Sequence, residues 1–207
     1  MTQRRHHYEQ AFEHYLRERR VPYVAVNEAR KALVPDSASS RLSRAREGDD
    51  KISTGGHAKK EASLKSFDFV LYGEPTNMLA EIKGRKVGGR PSDGSRLPAR
   101  SRLESWVTRD DVESLLEWES LFGDNFRSLF VFVYWCEAPP PGSLFQEIFE
   151  FRGRWYALRG IEVAVYASEM RTRSPRWGTV HLPTEAFERL SSPLVLREGG
   201  TECVNGR

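Results

Sequence analysis

The sequence predicts an α/β fold in which a mixed central sheet is flanked by helices. Residues 129–135 form an unbroken run of β-branched and aromatic side chains, which is typical of a strand buried on both faces. Apolar residues recur at helical spacing over roughly 5–19 and again over 108–123. Two shorter apolar runs, 67–72 and 78–83, flank a turn-rich loop and predict an antiparallel hairpin. The resulting core order is α-β-β-β-α-β, with helices covering a sheet.

One apolar stripe predicts the first helix. It is formed by Tyr8, Ala11, Phe12, Tyr15 and Leu16. A short strand is expected at 21–26. The chain after the central strand predicts further strands near 155–158 and 161–167, and a short helix near 184–190.

The second helix carries start and stop signals. Thr108 and Asp111 form a capping box, and Val107 and Val112 are placed to close a hydrophobic staple around it. Gly123 follows the last apolar position of the stripe and is expected to end the helix.

Length and composition bound the class of protein. The 207 residues, 39% apolar and 29% charged, suit a single domain over 1–193 followed by a flexible tail over 194–207. Two isolated cysteines, Cys136 and Cys203, exclude a disulfide scaffold. The longest apolar run is too short to span a bilayer, and the first residues lack the apolar core of a signal peptide. A soluble cytoplasmic protein without membrane contact is expected.

Two segments are predicted to be long flexible loops. Residues 35–63 are rich in Ser, Gly and charge, with little that could be buried. Residues 84–105 contain several glycines and more basic than acidic side chains: Arg85, Lys86, Arg90, Arg96, Arg100 and Arg102 against Asp93 and Glu104. This basic loop is either a solvated face or a contact for a polyanion, which the net charge of +3 also favours.

The predicted hairpin brings together the candidate metal-binding and catalytic residues. Asp68 lies inside an apolar run, where an uncompensated carboxylate is costly. Glu81 and Lys83 are two residues apart and project from one face of the next strand. If the chain turns within 73–77, Asp68 comes to lie beside Glu81 across the ladder. Two adjacent carboxylates predict a site for a hard divalent cation such as Mg²⁺. The alternative is an exposed Glu–Lys pair with a solvated Asp68 at a sheet edge.

Phe67-Asp68 followed by Glu81-Ile82-Lys83-Gly84-Arg85 resembles the PD-(D/E)XK nuclease superfamily, in particular the branch of archaeal Holliday-junction resolvases and Mrr-type restriction endonucleases. The resemblance covers roughly residues 5–135 and implies a restriction-endonuclease-like fold. It implies that Asp68, Glu81 and the Ile82 carbonyl hold the metal ion, that Lys83 serves the attacking water, and that Glu9 assists from the first helix. The residue before Asp68 is Phe67 where the family often has proline.

Two other glutamates compete for the role of Glu9. Glu9 borders the apolar stripe of the first helix, whereas Glu13 lies further toward the solvent side, so Glu9 is preferred. Glu28, just past the first strand, is a weaker candidate.

The function expected from these residues is that of a Mg²⁺- or Mn²⁺-dependent phosphodiesterase acting on nucleic acid, most naturally DNA. Backbone contacts are expected from the basic loop, namely from Arg85, Lys86, Arg90, Arg100 and Arg102. The alternative is a non-catalytic module that keeps the nuclease fold and binds nucleic acid. A homodimer would suit an enzyme that cuts both strands, although no motif assigns one, and no protein partner is indicated. The five histidines lack zinc-site spacing, so no zinc site is proposed.

Overall fold

A six-stranded mixed sheet organises the described part of the chain. The computed structural model describes residues 3–26, 64–87, 103–137, 147–192, 194–197 and 200–203. Its helices are α1 (Gln3–Glu18), α2 (Arg109–Phe122), α3 (Val163–Glu169) and α4 (Thr184–Leu190). Its strands are β1 (Tyr23–Ala25), β2 (Phe69–Leu71), β3 (Asn77–Lys86), β4 (Val107–Thr108), β5 (Phe126–Cys136), β6 (Ile148–Phe151), β7 (Arg154–Glu162), β8 (Arg171–Ser174), β9 (Thr179–His181), β10 (Leu194–Arg197) and β11 (Gly200–Cys203). The predicted α/β class with a mixed sheet is confirmed.

The main sheet has the strand order β1-β2-β3-β5-β7-β6. Strands β3 and β5 are parallel, and every other neighbouring pair in this sheet is antiparallel. The chain passes from β3 to β5 through α2, which gives the parallel pair its helical crossover. A small sheet, β4-β9-β8, lies beside this crossover, and β10 pairs with β11.

Each face of the main sheet covers its own apolar core. On one face, Phe12 and Leu16 of α1 pack with Ala80 and Ile82 of β3 and Val131 of β5. On the other face, α2, α3 and α4 pack over the alternate residues of the same strands, with Leu79, Phe130, Phe132, Leu115, Tyr166 and Phe187 buried together. The odd-numbered side chains of β3, including Glu81 and Lys83, therefore project toward the α2 face.

The signals at both ends of α2 act as predicted. The Asp111 amide donates to Thr108 Oγ1 at 3.1 Å, and the Thr108 amide donates to Asp111 Oδ2 at 3.0 Å. The backbone leaves the helix at Gly123 with φ of 86°. Such a capping box contributes about 1 kcal/mol to helix stability.

Several predicted elements differ from the structure. The strand predicted at 161–167 is wrong: β7 ends at Glu162, and α3 follows as a short helix. The β-branched residues there favour a strand, but burial of Val163 and Tyr166, three positions apart, stabilises a helix instead. Residues 84–86, predicted to begin a flexible loop, belong to β3, in which Lys86 pairs with Trp135 of β5.

The remaining predicted segments are only partly described. Strands β10 and β11 pair within 194–207, where the sequence predicts a flexible tail. The predicted loop 35–63 lies outside the described residues, as does 88–102. No helix in the described ranges is both long and apolar enough to cross a membrane.

The Tyr8 ring of α1 covers Gly84 of β3. A Cβ atom built on Gly84 would overlap that ring, including its Cγ atom, so the ring would have to move. Tyr8 directly precedes Glu9, and the contact therefore helps to set where α1 presents Glu9 to the sheet.

We expect Gly84→Ala to lower the free energy of unfolding by about 2 kcal/mol, because overpacking of a closed contact strains both sides. Urea denaturation measures the change. In a Tyr8→Ala background the same substitution should cost much less, since the ring that obstructs Cβ is gone. An equal cost in both backgrounds would show that the close approach of Tyr8 is not what requires glycine.

Candidate active site

The β2–β3 hairpin brings Asp68 opposite Glu81. Phe69 pairs with Ala80, Val70 with Leu79 and Leu71 with Met78, so the register predicted from the turn is confirmed. Asp68 lies directly before β2, and its amide donates to the Ala80 carbonyl at 3.0 Å. The two carboxylates therefore project from neighbouring strands toward the same face.

The Asp68 carboxylate occupies the point at which the chain leaves β3. Its Oδ2 accepts a hydrogen bond from the Ile82 amide at 2.7 Å, a donor that a continuing β2 strand would otherwise satisfy. Upstream of Asp68 the chain runs to α2, where the Lys65 amide donates to Ser114 Oγ at 3.2 Å. The opening between the strands is thus held at a fixed place, with a carboxylate at its edge.

Asp68 lies in an environment that disfavours its negative charge. Burial and the neighbouring Glu81 charge raise the pKa of Asp68 from 3.8 to about 8, with a further increase from Glu9. The hydrogen bond from the Ile82 amide and the Lys83 charge oppose this shift without cancelling it. The protein therefore holds two carboxylates together with too little positive charge beside Asp68 to keep both ionised at neutral pH.

Lys83 is held between two carboxylates on the same face of the sheet. Its Nζ lies 2.9 Å from Glu81 Oε1 and 2.8 Å from Asp111 Oδ2. The side chains of all three residues are largely buried, with exposed fractions of 13–17%. Hydrogen bonds to charged partners in such a place are short and strong, so the ammonium has a defined position.

Both ends of the Lys83–Asp111 pair are stabilised in the charged state. Burial lowers the pKa of Lys83, but the charges of Glu81 and Asp111 outweigh it, and the net shift is upward. Burial raises the pKa of Asp111. This increase is outweighed by the Lys83 charge and by hydrogen bonds with Lys83 and Thr108, so the pKa of Asp111 lies well below its usual range. Lys83 is therefore an ammonium at neutral pH, a donor and a positive charge rather than a base.

Asp111 is the site residue that sequence reasoning missed, because it was assigned only to the helix cap. One carboxylate oxygen serves both the cap and Lys83, and the other lies 3.1 Å from Lys65 Nζ. Lys65 Nζ also donates to Thr108 Oγ1 at 3.0 Å. The signal in the sequence is a capping-box acid on the helix directly following the Glu-x-Lys strand, which could face that strand after the crossover.

Glu9 and Glu13 lie in different electrostatic environments on α1. The Glu9 charge acts on Asp68, where it raises the pKa. Glu13 Oε1 instead accepts hydrogen bonds from Arg17 at 2.6 Å and from the Tyr23 hydroxyl at 2.8 Å, beside β1. The role predicted for Glu9 stays a prediction, and Glu28 lies outside the described residues.

Only some of the basic residues predicted to contact nucleic acid lie in the described part of the chain. The Arg85 guanidinium stacks 4.1 Å from the centre of the Trp106 ring and donates to the Gly84 and Trp106 carbonyls, so its position is internal. Lys86 is exposed, and its Nζ lies 2.6 Å from Glu137 Oε1. Arg90, Arg100 and Arg102 lie outside the described residues. Arg85 therefore supports the site from within rather than offering a free contact to a backbone phosphate.

The donor set fits a hard divalent cation. Asp68 and Glu81 offer carboxylate oxygens on neighbouring strands, and burial together with the Glu81 charge raises the pKa of Asp68, an environment that a bound cation would relieve. Among the described residues, no group of three or more His, Cys, Asp or Glu side chains is arranged to hold a metal ion alone. Mg²⁺ does not need such a group, because it keeps several water ligands and is commonly bound by one or two carboxylates together with substrate phosphate.

Comparisons with known proteins give a similarity to a solved structure. No protein-family model matches the chain, and no curated protein matches it significantly. Among solved structures, the chain is similar to a Holliday junction resolvase from the archaeal hyperthermophile Archaeoglobus fulgidus. The two share 13% sequence identity, with a TM-score of 0.43 over 87% of this chain and 89% of that chain. A similarity at this level does not assign the chain to a family.

Proposed function

We propose that the chain is a divalent-metal-dependent nuclease that hydrolyses phosphodiester bonds in DNA. The observation that carries this proposal is the arrangement of Asp68 and Glu81 across the β2–β3 ladder with Lys83 Nζ 2.9 Å from Glu81 Oε1. Paired carboxylates can hold a divalent cation, and an adjacent ammonium can offset charge on a phosphodiester, so the arrangement supports metal-assisted hydrolysis. The residues are also those on which the resemblance to PD-(D/E)XK nucleases rests.

Asp68, Glu81 and the Ile82 carbonyl would hold Mg²⁺ or Mn²⁺. When bound, the ion would supply Lewis-acid polarisation of the phosphodiester and a lowered pKa for water. The chain itself would contribute the Lys83 ammonium, which can donate a hydrogen bond to the attacking water and offset negative charge on the phosphate. Glu81 and Asp111 hold that ammonium in place, so little reorganisation is needed.

The direct test is cleavage of a panel of substrates: supercoiled plasmid, single-stranded DNA, a four-way junction and RNA. Each is incubated with Mg²⁺, with Mn²⁺ or with EDTA. We expect metal-dependent cutting of DNA that leaves 5′-phosphate and 3′-hydroxyl ends. The same products in EDTA would contradict the metal site, and cutting of RNA alone would contradict the substrate class.

A second candidate is a module that binds nucleic acid without cutting it. Its support is the engagement of Lys83 by both Glu81 and Asp111, which leaves the ammonium strongly committed within the protein. Such a module would bind every DNA of the panel, and its affinity would fall steeply with salt and ignore divalent metal. DNA binding without cleavage under any metal condition would favour this candidate. The cytoplasmic location and the homodimer stay predictions.

A further inference from the structure

An exposed tryptophan stands at the tip of the β8–β9 hairpin. Residues 175–178 form its turn, in which the Gly178 amide donates to the Pro175 carbonyl at 3.3 Å. Gly178 has φ of 56°, a conformation that favours glycine and closes the turn. Trp177 is 71% exposed, and the Arg176 guanidinium lies 5.5 Å from its ring centre. The indole is therefore accessible to a ligand, at a position that the closed turn defines.

The hairpin is strongly basic. Arg171, Arg173 and Arg176 project from it, and residues 170–179 contain no acidic side chain. Among the described residues, Glu104 of an adjacent segment lies 4.0 Å from the Arg173 guanidinium. Glu169, which precedes β8, is bound by Arg189 at 2.8 Å. The positive charge of the turn is thus largely available to a polyanion.

Two connections fix the hairpin beside the candidate active site. Thr179 of β9 pairs with Thr108, and the Arg109 amide donates to the Gly178 carbonyl at 2.8 Å. Thr108 caps the helix whose Asp111 binds Lys83.

The second connection passes through Trp106. The Arg173 guanidinium lies 5.1 Å from the Trp106 ring centre, and the Arg85 guanidinium lies 4.1 Å from the same centre. Arg85 is two residues beyond Lys83 on β3 and projects from the same face. The hairpin is therefore attached to the site at both its turn and its first strand.

We propose that the β8–β9 hairpin is a substrate-recognition element that places Trp177 against an unpaired base near the cleaved phosphate. The arginines of the hairpin would contact the flanking phosphates. An indole stacks on any base face, but the faces are accessible only where DNA is single-stranded, bulged or branched. This inference rests on the proposed function and adds a substrate class to it, namely DNA with unpaired nucleotides.

The test measures binding by fluorescence anisotropy in EDTA, so that cleavage does not interfere. Labelled probes are a short duplex, the same duplex with a central bulge, the corresponding single strand and its RNA counterpart. We expect Trp177→Ala to weaken binding of the bulged duplex and of single-stranded DNA about tenfold, with a smaller effect on the intact duplex. Trp177→Phe should retain most of the affinity, because a phenyl ring also stacks.

Tyr72→Ala is the matched control, because Tyr72 is an exposed aromatic residue (44%) at the far end of β2 from Asp68. It should leave all affinities unchanged. Thermal unfolding of each variant checks that the fold persists.

The outcomes separate this inference from the proposed function. If Trp177→Ala weakens all probes equally or none of them, stacking on an unpaired base is overturned while DNA binding and cleavage stand. If RNA is the probe most affected by Trp177→Ala, the assignment to DNA is overturned. If the wild-type protein retains no nucleic acid even at low salt, the proposed function fails and this inference fails with it.

Discussion

Lys83→Ala is expected to lower DNA cleavage by about 100-fold or more while leaving DNA affinity within a few fold of wild type. Lys83 is buried beside Glu81 and is held as an ammonium, so under the proposed function it would contribute a directed hydrogen bond and a fixed positive charge at the reacting phosphate. Exposed basic residues, by contrast, contribute to binding through long-range attraction. The measurement is single-turnover cleavage with Mg²⁺, alongside anisotropy in EDTA.

Lys65→Ala is the matched control for this substitution. Both lysines pair with Asp111, at 2.8 Å for Lys83 and 3.1 Å for Lys65, but Lys83 alone of the two has an ion pair with Glu81. Removal of Lys65 should therefore perturb Asp111 without removing the ammonium beside Glu81. We expect Lys65→Ala to retain cleavage within a few fold. Equal loss in both variants would indicate that Lys83 acts only by positioning Asp111.

Removal of Lys83 also leaves Glu81 and Asp111 without their shared cation. Because breaking one partner of a buried ion pair is destabilising, Lys83→Ala should unfold at a lower temperature than wild type. Cleavage is therefore compared at temperatures where both proteins are folded. Cleavage by the variant at the wild-type rate under those conditions would contradict the role assigned to Lys83.

The parts of the site that sequence reasoning could predict are those set by local geometry. Asp68 and Glu81 are joined by a short turn, so the period of two along each strand and the centre of the turn determine which side chains meet. Asp111 meets Lys83 only after a crossover of 28 positions and the docking of α2 on the sheet. Neither the crossover nor the docking is encoded in a short motif. The capping box also provides a complete local explanation for an acidic residue at position 111.

A similar reason explains why the β8–β9 hairpin was not predicted. Strand β8 lacks alternating apolar residues, and its Arg171, Thr172 and Arg173 side chains are all exposed. This strand is ordered by pairing with β9, which in turn pairs with the two residues of β4. Likewise, the helical conformation of α3 depends on the burial of Val163 and Tyr166 against the sheet. Tertiary packing overrides local propensity in both places.

Asp68→Asn is expected to stabilise the metal-free protein at pH 8. The pKa of Asp68 rises from 3.8 to about 8 on folding, so between these values the folded state binds more protons than the unfolded state. Stability then falls as the pH rises through that window, and the loss is nearly complete at pH 8. Asparagine removes the charge and keeps an oxygen that can accept from the Ile82 amide. At about 1.36 kcal/mol per pKa unit, we expect a gain of up to about 5 kcal/mol at pH 8 that vanishes near pH 4.

Urea denaturation in EDTA at several pH values measures this difference, with Glu13→Gln as the control. Glu13 is a carboxylate of α1 that is stabilised by Arg17 and Tyr23, so its neutralisation should give no gain. Addition of Mn²⁺ should reverse the order of stability, because a cation that binds only the folded state stabilises the wild type and finds one carboxylate fewer in the variant.

If the wild type is less stable than Asp68→Asn without metal and more stable with metal, Asp68 is a functional carboxylate and not a structural one. Asp111 provides the contrast, since its charge is favoured by Lys83 and the helix cap, and its neutralisation should cost stability whether or not metal is present. If Asp68→Asn instead destabilises the protein at pH 8 in EDTA, Asp68 is a structural hydrogen-bond acceptor for the Ile82 amide. The hairpin would then hold its two carboxylates without needing a metal ion between them.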